Sequence, residues 1–146
     1  MSKSEREIAI FKQFLESRGL GAQAGLVESR PHPEPDILFD GAAFELAEIC
    51  SEDLAKAMAK TAKSGEAEFT YCGDPTLTIL IKKSNKCYVT PHPIELLVYT
   101  DGRVVSPDNM IIPKIGQSAN WLKKNFRRVW FLGRKGHYLV CDFTEE

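Results

Sequence analysis

The stretch PDILFDGAAFELAEI, residues 35–49, contains two apolar runs separated by Asp40-Gly41. Asp-Gly between apolar runs is the strongest short-range signal of a β-hairpin, because both positions of the favoured two-residue turn need positive φ angles. A turn at this dipeptide pairs the flanking residues one by one and sets Asp36 opposite Glu45. The stretch therefore predicts a tight hairpin over residues 36–49.

The predicted hairpin brings two like charges together. Directly opposed side chains of an antiparallel pair have Cβ atoms roughly 4.5–5.5 Å apart, so two carboxylates repel each other there. Such a pair is tolerated where water solvates it, where the two groups share a proton, or where they hold a cation. Glu28, at the end of a predicted short strand, and Glu48 are further acids nearby in the sequence. The pattern favours a divalent-metal site formed by Asp36, Glu45 and Glu28.

The other face of the predicted hairpin is apolar. Side chains alternate between the two faces of a strand, so Ile37 and Phe39 share a face with Phe44 and Leu46. These four residues predict that the hairpin is anchored on a hydrophobic core. A rigid core beneath the two acids is what a preformed metal site requires.

The remaining periodicities predict a chain that alternates helices and strands. A helix is expected over residues 4–18, where Ser4 and Glu7 have capping-box spacing, and a short strand at Leu26-Val27. Further elements follow in order: a helix over 51–63, strands at 76–81 and 94–99, a short helix over 118–125, and a hairpin from strands 128–132 and 137–140. This order predicts an α/β or α+β fold with one central sheet.

Pro35-Asp36, eight intervening residues and Glu45-Leu46-Ala47 resemble the motif of the PD-(D/E)xK nuclease superfamily. The predicted elements over roughly residues 4 to 100 resemble its restriction-endonuclease-like fold. The resemblance implies a single nuclease-like domain over residues 1–146, with a central mixed β-sheet flanked by helices. It also implies a metal-dependent endonuclease that hydrolyses DNA phosphodiester bonds. Asp36 and Glu45 would bind Mg²⁺ or Mn²⁺, which would polarise the scissile phosphate.

The sequence departs from the family motif at Ala47, where the family has a lysine that positions or activates the attacking water. Some members of the superfamily carry that lysine on the following helix, so Lys56 or Lys60 is the expected substitute. Glu48 is expected to assist if the strand end turns it towards the metal. The departure leaves two alternatives open. One is a catalytically inactive nuclease-fold protein that binds nucleic acid or protein, and the other is a small structural protein whose acids are incidental.

The formal net charge is −1, so nucleic acid would have to be bound by a local basic patch. One basic cluster, Lys82, Lys83 and Lys86, flanks a predicted turn, where an exposed surface is the plainer interpretation. A second cluster lies beside Trp121 and could contact a phosphate backbone or could simply be the outer face of a helix. It consists of Lys123, Lys124, Arg127 and Arg128.

The sequence contains neither an apolar stretch of the roughly 20 residues a membrane helix needs nor a signal-peptide core. Its four cysteines form no Cys-x-x-Cys pair, which predicts free thiols in a reducing cytoplasm. The expected partner is nucleic acid, with DNA preferred. A homodimer is compatible with this size, because a second subunit lets a small nuclease engage both strands.

Overall fold

One mixed sheet of six strands organises the part of the chain that this computed structural model describes, residues 2–49, 75–101 and 107–144. The helices are Lys3–Ser17 (α1), Thr76–Ser84 (α2), Asp108–Gln117 (α3) and Ala119–Leu122 (α4). The strands are Glu28–Ser29 (β1), Ile37–Phe39 (β2), Ala42–Glu48 (β3), Ile94–Tyr99 (β4), Arg128–Gly133 (β5) and Gly136–Asp142 (β6). A 3-10 helix, Gly21–Leu26, connects α1 to β1.

The strands lie in the sheet in chain order, from β1 to β6. The outer pairs β1–β2, β2–β3 and β5–β6 are antiparallel, whereas β3–β4 and β4–β5 are parallel. Parallel neighbours need a crossover connection, and the crossovers that precede β4 and β5 contain α2 and then α3 and α4. The prediction of a mixed α and β fold with one central sheet flanked by helices is confirmed.

The hairpin at Asp40-Gly41 forms as predicted. Its register pairs Phe39 with Ala42 and Ile37 with Phe44. Asp40 has φ 50° and Gly41 has φ 76°, which are the positive angles that a two-residue hairpin turn requires.

Helices cover both faces of the sheet and define two hydrophobic cores. On one face, α1 packs an aromatic cluster against the hairpin, with the Phe11 ring centroid 4.8 Å from that of Phe44 and 5.6 Å from that of Phe39. On the other face, Leu80 of α2, with residues of α3 and α4, packs against Ala47. The predicted apolar face of the hairpin, Ile37, Phe39, Phe44 and Leu46, is buried under α1.

Residues 76–81 form the first two turns of helix α2, so the predicted strand there is wrong. A short run such as Thr-Leu-Thr-Ile-Leu-Ile has apolar residues at both helical and strand spacing, and β-branched residues only weakly oppose a helix. The two buried positions, Thr76 and Leu80, lie four residues apart, which is the helical repeat. Lys82 and Lys83 in the last turn complement the helix dipole.

Helix α1 begins earlier than predicted. Its N-cap is Ser2, whose hydroxyl accepts a hydrogen bond from the backbone N–H of Glu5 at 3.2 Å. The predicted pairing of Ser4 with Glu7 as a capping box is therefore wrong, and Glu7 lies one turn inside the helix. Its carboxyl group is free for the contacts described below.

Other predicted elements differ in extent. The short strand expected at Leu26-Val27 lies two residues later, at Glu28–Ser29, and the expected helix over 118–125 is the single turn Ala119–Leu122. Helix α3 was not predicted. The predicted helix over 51–63 lies outside the described residues, together with Lys56, Lys60, Cys50 and Cys72. Within the described ranges, no helix is both long and apolar enough to span a bilayer.

Candidate functional site

A cleft opens where β3 continues beyond the end of β2. The backbone N–H of Leu46 donates to Asp36 Oδ2 at 2.9 Å rather than to a carbonyl of β2. The N-terminal half of α1 and the C-terminal half of α2 flank this end of β3 from opposite faces of the sheet. The cleft has a volume of about 530 Å³. It is lined by Ser2, Lys3, Arg6, Glu7, Leu46, Ala47, Glu48, Ile79, Lys82, Lys83, Lys86 and Tyr99.

Glu45 lies at the base of this region and is fully buried, with 0% of its surface exposed. Its Oε2 atom is 2.9 Å from Lys83 Nζ and 3.1 Å from Lys86 Nζ. The Tyr88 hydroxyl donates to the same oxygen at 3.1 Å. Glu45 is therefore a buried carboxylate that two lysines and a phenol hold in one orientation.

Two lysines keep Glu45 ionised. Burial opposes ionisation, but the charges and hydrogen bonds of Lys83 and Lys86 outweigh it, so the pKa of Glu45 lies below its ordinary value. The other carboxylate oxygen, Oε1, is buried and has no hydrogen-bond partner among the described residues. Burial and the charge of Glu45 raise the pKa of the Tyr88 phenol, which therefore stays protonated as a donor.

Asp36 interacts with Glu45 across the hairpin, as the sequence predicted. Burial raises the pKa of Asp36, and the negative charge of Glu45 raises it further. The Leu46 N–H and the charge of Lys83 offset this only in part. The pKa of Asp36 is therefore raised while that of Glu45 is lowered, so the two carboxyl groups differ in proton affinity. Such a difference is what allows two close carboxyl groups to share one proton, which was one of the three ways in which the pair could be tolerated.

Glu7 of α1 is the carboxyl group that faces both Asp36 and the cleft. Burial raises the pKa of Glu7 to about 7, and the negative charge of Asp36 contributes in the same direction. Lys3, one turn earlier on α1, opposes this rise. A carboxyl group with a pKa near 7 changes its protonation state in the neutral range, which an ordinary glutamate does not.

Cations dominate the rest of the cleft wall. Arg6 forms an ion pair with Glu48 at 2.6 Å and contacts Asp101 at 3.0 Å. Lys3 and Lys82 line the cleft from α1 and α2. The arrangement is thus a positively charged cleft that contains a titratable carboxyl group.

The predicted site residues are only partly brought together. Asp36 and Glu45 interact, whereas Glu48 is paired with Arg6. Glu28 is 2.7 Å from Arg30 on an exposed strand and does not line the cleft. Lys56 and Lys60 lie outside the described residues. Within the described ranges, no three His, Cys, Asp or Glu side chains are grouped as a metal site.

Four residues that complete the site, Glu7, Lys83, Lys86 and Tyr88, are not among the predicted site residues. The sequence predicts Lys83 and Lys86 to be exposed near a turn, because it predicts a strand at 76–81 where the structure has a helix. Leu80 and Lys83 are three residues apart, so on a helix they lie on the same face. This spacing could have indicated that Lys83 lies beside the buried face. Nothing local connects Glu7 to Asp36, because the helix and the hairpin are brought together only by packing.

Two of the four residues of the second predicted basic cluster, Arg127 and Arg128, are paired with a buried carboxylate, whereas Lys123 and Lys124 are exposed. Arg127 lies 2.7 Å and Arg128 3.3 Å from Glu95, a buried carboxylate that also accepts a 2.7 Å hydrogen bond from the Trp130 indole. These arginines therefore neutralise the buried carboxylate of Glu95. Trp121 beside them is 43% exposed and does not belong to the core.

No protein-family model matches the chain, and no curated protein matches it either. The fold is similar to the solved structure of a protein of unknown function from Pseudomonas aeruginosa strain PAO1, which is placed in the monooxygenase superfamily. The TM-score is 0.59 and the sequence identity 21%, over 99% of this chain and 75% of that one. An identity this low shows a shared fold and no more.

This comparison overturns the predicted family. The prediction of a PD-(D/E)xK nuclease is wrong, because the structural similarity is to a protein of the monooxygenase superfamily. Endonuclease activity and DNA hydrolysis lose their basis, and so does the alternative of an inactive nuclease-fold binding module. The motif is short. Any tight hairpin with one acid on each strand at its open end would contain a similar Asp and Glu, whatever its protein family. The protein therefore combines a fold similar to that of a protein of the monooxygenase superfamily with a cationic cleft beside the carboxyl groups of Glu7, Asp36 and Glu45.

Proposed function

We propose that the cleft binds a small anionic molecule and that Glu7 exchanges a proton with it, so that the protein acts as an acid–base enzyme. The observation that carries this proposal is the pKa of Glu7, raised to about 7, in a cleft whose other charged groups are mainly lysine and arginine. A general base is most effective when its pKa lies near the working pH. A volume of about 530 Å³ suits a small molecule.

Each neighbour of Glu7 has a distinct part in this proposal. The cations attract the anionic group and hold the adjacent acidic C–H or O–H near Glu7. Asp36 contributes to the raised proton affinity of Glu7, and it acts through Glu7 rather than on the ligand. Glu45 orients Lys83 and Lys86 along the cleft by holding both ammonium groups on one oxygen.

Proton removal from a panel of small 2-oxo and 3-oxo carboxylates tests the proposal. Exchange of the acidic C–H for deuterium, followed by proton NMR in D₂O, should rise with pH through a midpoint near 7. Glu7→Gln should lower the exchange rate by roughly a hundredfold, since general bases contribute on the order of 10²–10⁴. Glu5→Gln, on an exposed position of the same helix, is the matched control. Equal exchange rates in wild type and Glu7→Gln at pH 8 would contradict the proposal.

A second candidate function, oxygenation of the bound anion, is favoured by the similarity to a protein of the monooxygenase superfamily. Proton removal from a C–H acid leaves a carbanion, which is the form of an organic anion that dioxygen oxidises most readily. An oxygen electrode distinguishes the two candidates with the same panel. Oxygen uptake that Glu7→Gln abolishes supports oxygenation, and deuterium exchange without oxygen uptake supports acid–base chemistry alone.

Mg²⁺ or Mn²⁺ at Asp36 and Glu45 remains a separate proposal. Carboxylate oxygens are suitable ligands, and Glu45 Oε1 is a buried oxygen without a partner among the described residues. Lys83 and Lys86 already neutralise Oε2 of the same group, which weakens the case for a cation. Calorimetric titration with Mn²⁺ of the wild type and of Asp36→Asn tests it. Heat that is lost in the variant supports a metal ion, and equal heats in both proteins exclude one at this pair.

A further inference from the structure

The positive charges of the cleft fall into two groups. Lys83 and Lys86 share the carboxylate of Glu45. Arg6 lies between the carboxylates of Glu48 and Asp101, with its closest contact at 2.6 Å. The charge of these three cations is matched by the protein itself, and their orientation is set without a ligand.

Lys3 and Lys82 form the other group. Both line the cleft, and neither forms an ion pair with any residue in the described ranges. Lys3 is close enough to Glu7 to oppose the rise in its pKa. The two residues come from α1 and α2, which pack on opposite faces of the sheet, so they approach the cleft from its two sides.

From this distribution we propose that Lys3 and Lys82 bind the two negative charges of a small dianion, such as a dicarboxylate or a phosphate monoester, which bridges α1 and α2 across the cleft. This inference rests on the proposed function, because it specifies the anion that the acid–base site accepts. Two anionic groups match the two lysines whose charge is unpaired among the described residues. A monoanion can neutralise only one of them.

A dianion also fits the net charge of the cleft. Among the described residues, the five cations of the cleft are opposed by Glu45, Glu48 and Asp101. The pKa of Glu7, raised to about 7, limits its negative charge near neutral pH, and the raised pKa of Asp36 acts in the same direction, so the cleft carries a surplus of positive charge. Ionisation of Glu7 at higher pH reduces that surplus, so dianion affinity should fall as the pH rises above 7.

Isothermal titration calorimetry at low ionic strength tests the inference with malonate, methyl phosphate and acetate. Low salt is required because exposed charges are screened over roughly 10 Å at 0.1 M. At pH 6.5 malonate and methyl phosphate are mainly dianions, and we expect both to bind more tightly than acetate. Lys3→Gln and Lys82→Gln should each weaken malonate binding roughly tenfold, the value of one charge-assisted hydrogen bond. Lys12→Gln, at an exposed position of α1 that does not line the cleft, is the matched control.

The outcomes separate this inference from the proposed function. Equal affinity for acetate and malonate would overturn the dianion and leave the anion site intact, and so would malonate binding that neither lysine variant changes. If none of the three anions binds to the wild type, both proposals are wrong. If malonate binding depends on Lys3 and Lys82 while Glu7→Gln leaves deuterium exchange unchanged, the dianion site stands without acid–base chemistry. Tighter binding of malonate than of methyl phosphate identifies a dicarboxylate as the preferred dianion, and the reverse order identifies a phosphate monoester.

Discussion

Replacing Glu7 by Gln should stabilise the protein at high pH and leave its stability at low pH nearly unchanged. The pKa of Glu7 rises from its ordinary value of 4.5 to about 7 on folding, first because of burial and then because of Asp36. The folded protein therefore binds this proton more tightly than the unfolded chain does. The contribution of Glu7 to stability is consequently greatest below pH 4.5, and it is lost as the pH rises from 4.5 through about 7.

The size of the effect follows from the same pKa change. Such a rise corresponds to an ionisation penalty of about 3 kcal/mol in the folded state. Glu7 is partly exposed, and screening by water reduces the expected penalty to about 2 kcal/mol. Gln has the shape of protonated Glu and carries no charge, so it should recover this amount at pH 8. The free energy of unfolding should then rise by about 2 kcal/mol, with an increase in Tm of about 6 °C.

Urea unfolding followed by circular dichroism at pH 4 and pH 8 measures the change. The titratable groups facing Glu7 are Lys3 on its own helix, Asp36 and Glu45 on the hairpin, and Tyr99 on β4, and all of them remain in the variant. Glu16→Gln, at an exposed position of α1, should show no such difference between the two pH values. A gain of equal size at pH 4 and pH 8, or a loss at pH 8, would refute the reasoning.

Three further substitutions test the interacting carboxyl groups of Glu7, Asp36 and Glu45 and the hydrophobic core. Asp36→Asn should lower the titration midpoint of Glu7 by about one pH unit, measured by ¹³C NMR of the side-chain carboxyl carbons, and an unchanged midpoint would contradict the coupling. Lys83→Met leaves Glu45 with Lys86 as its only cation among the described residues and should lower the free energy of unfolding by about 3 kcal/mol in urea titrations, whereas a neutral effect would show that one lysine suffices. Phe11→Ala removes a fully buried ring and should cost about 3–5 kcal/mol by the same measurement, while anion affinity of the folded fraction stays unchanged.

The prediction of a nuclease was wrong because the local geometry of the hairpin does not determine the protein family. Asp36 and Glu45 do meet across a two-residue turn, and that much follows from the turn chemistry of Asp40-Gly41. A short acidic motif on a hairpin specifies two close carboxyl groups but not what neutralises them. In this protein Lys83 supplies that charge, at 2.9 Å from Glu45.

The sequence by itself determined the elements whose signals are local. The hairpin follows from the positive φ angles that Asp40-Gly41 accepts and from alternation along both strands. Strand β4 follows from the apolar run that follows Glu95, Leu-Leu-Val-Tyr, which is typical of a parallel strand buried on both faces. The run at 76–81 was ambiguous, because six residues satisfy the helical and strand periods equally well, and packing against the sheet decided between them.

Only the tertiary structure decided the chemistry of the site. Glu7 and Asp36 are 29 positions apart in the chain, and Lys83 is 38 positions from Glu45, so no local pattern connects them. Their proton affinities depend on burial and on charges a few ångströms away, and both are properties of the packed helices and not of either segment. Turn geometry is a short-range property and can be predicted from residue types, whereas a pKa is set by whatever the rest of the chain brings to that point in space.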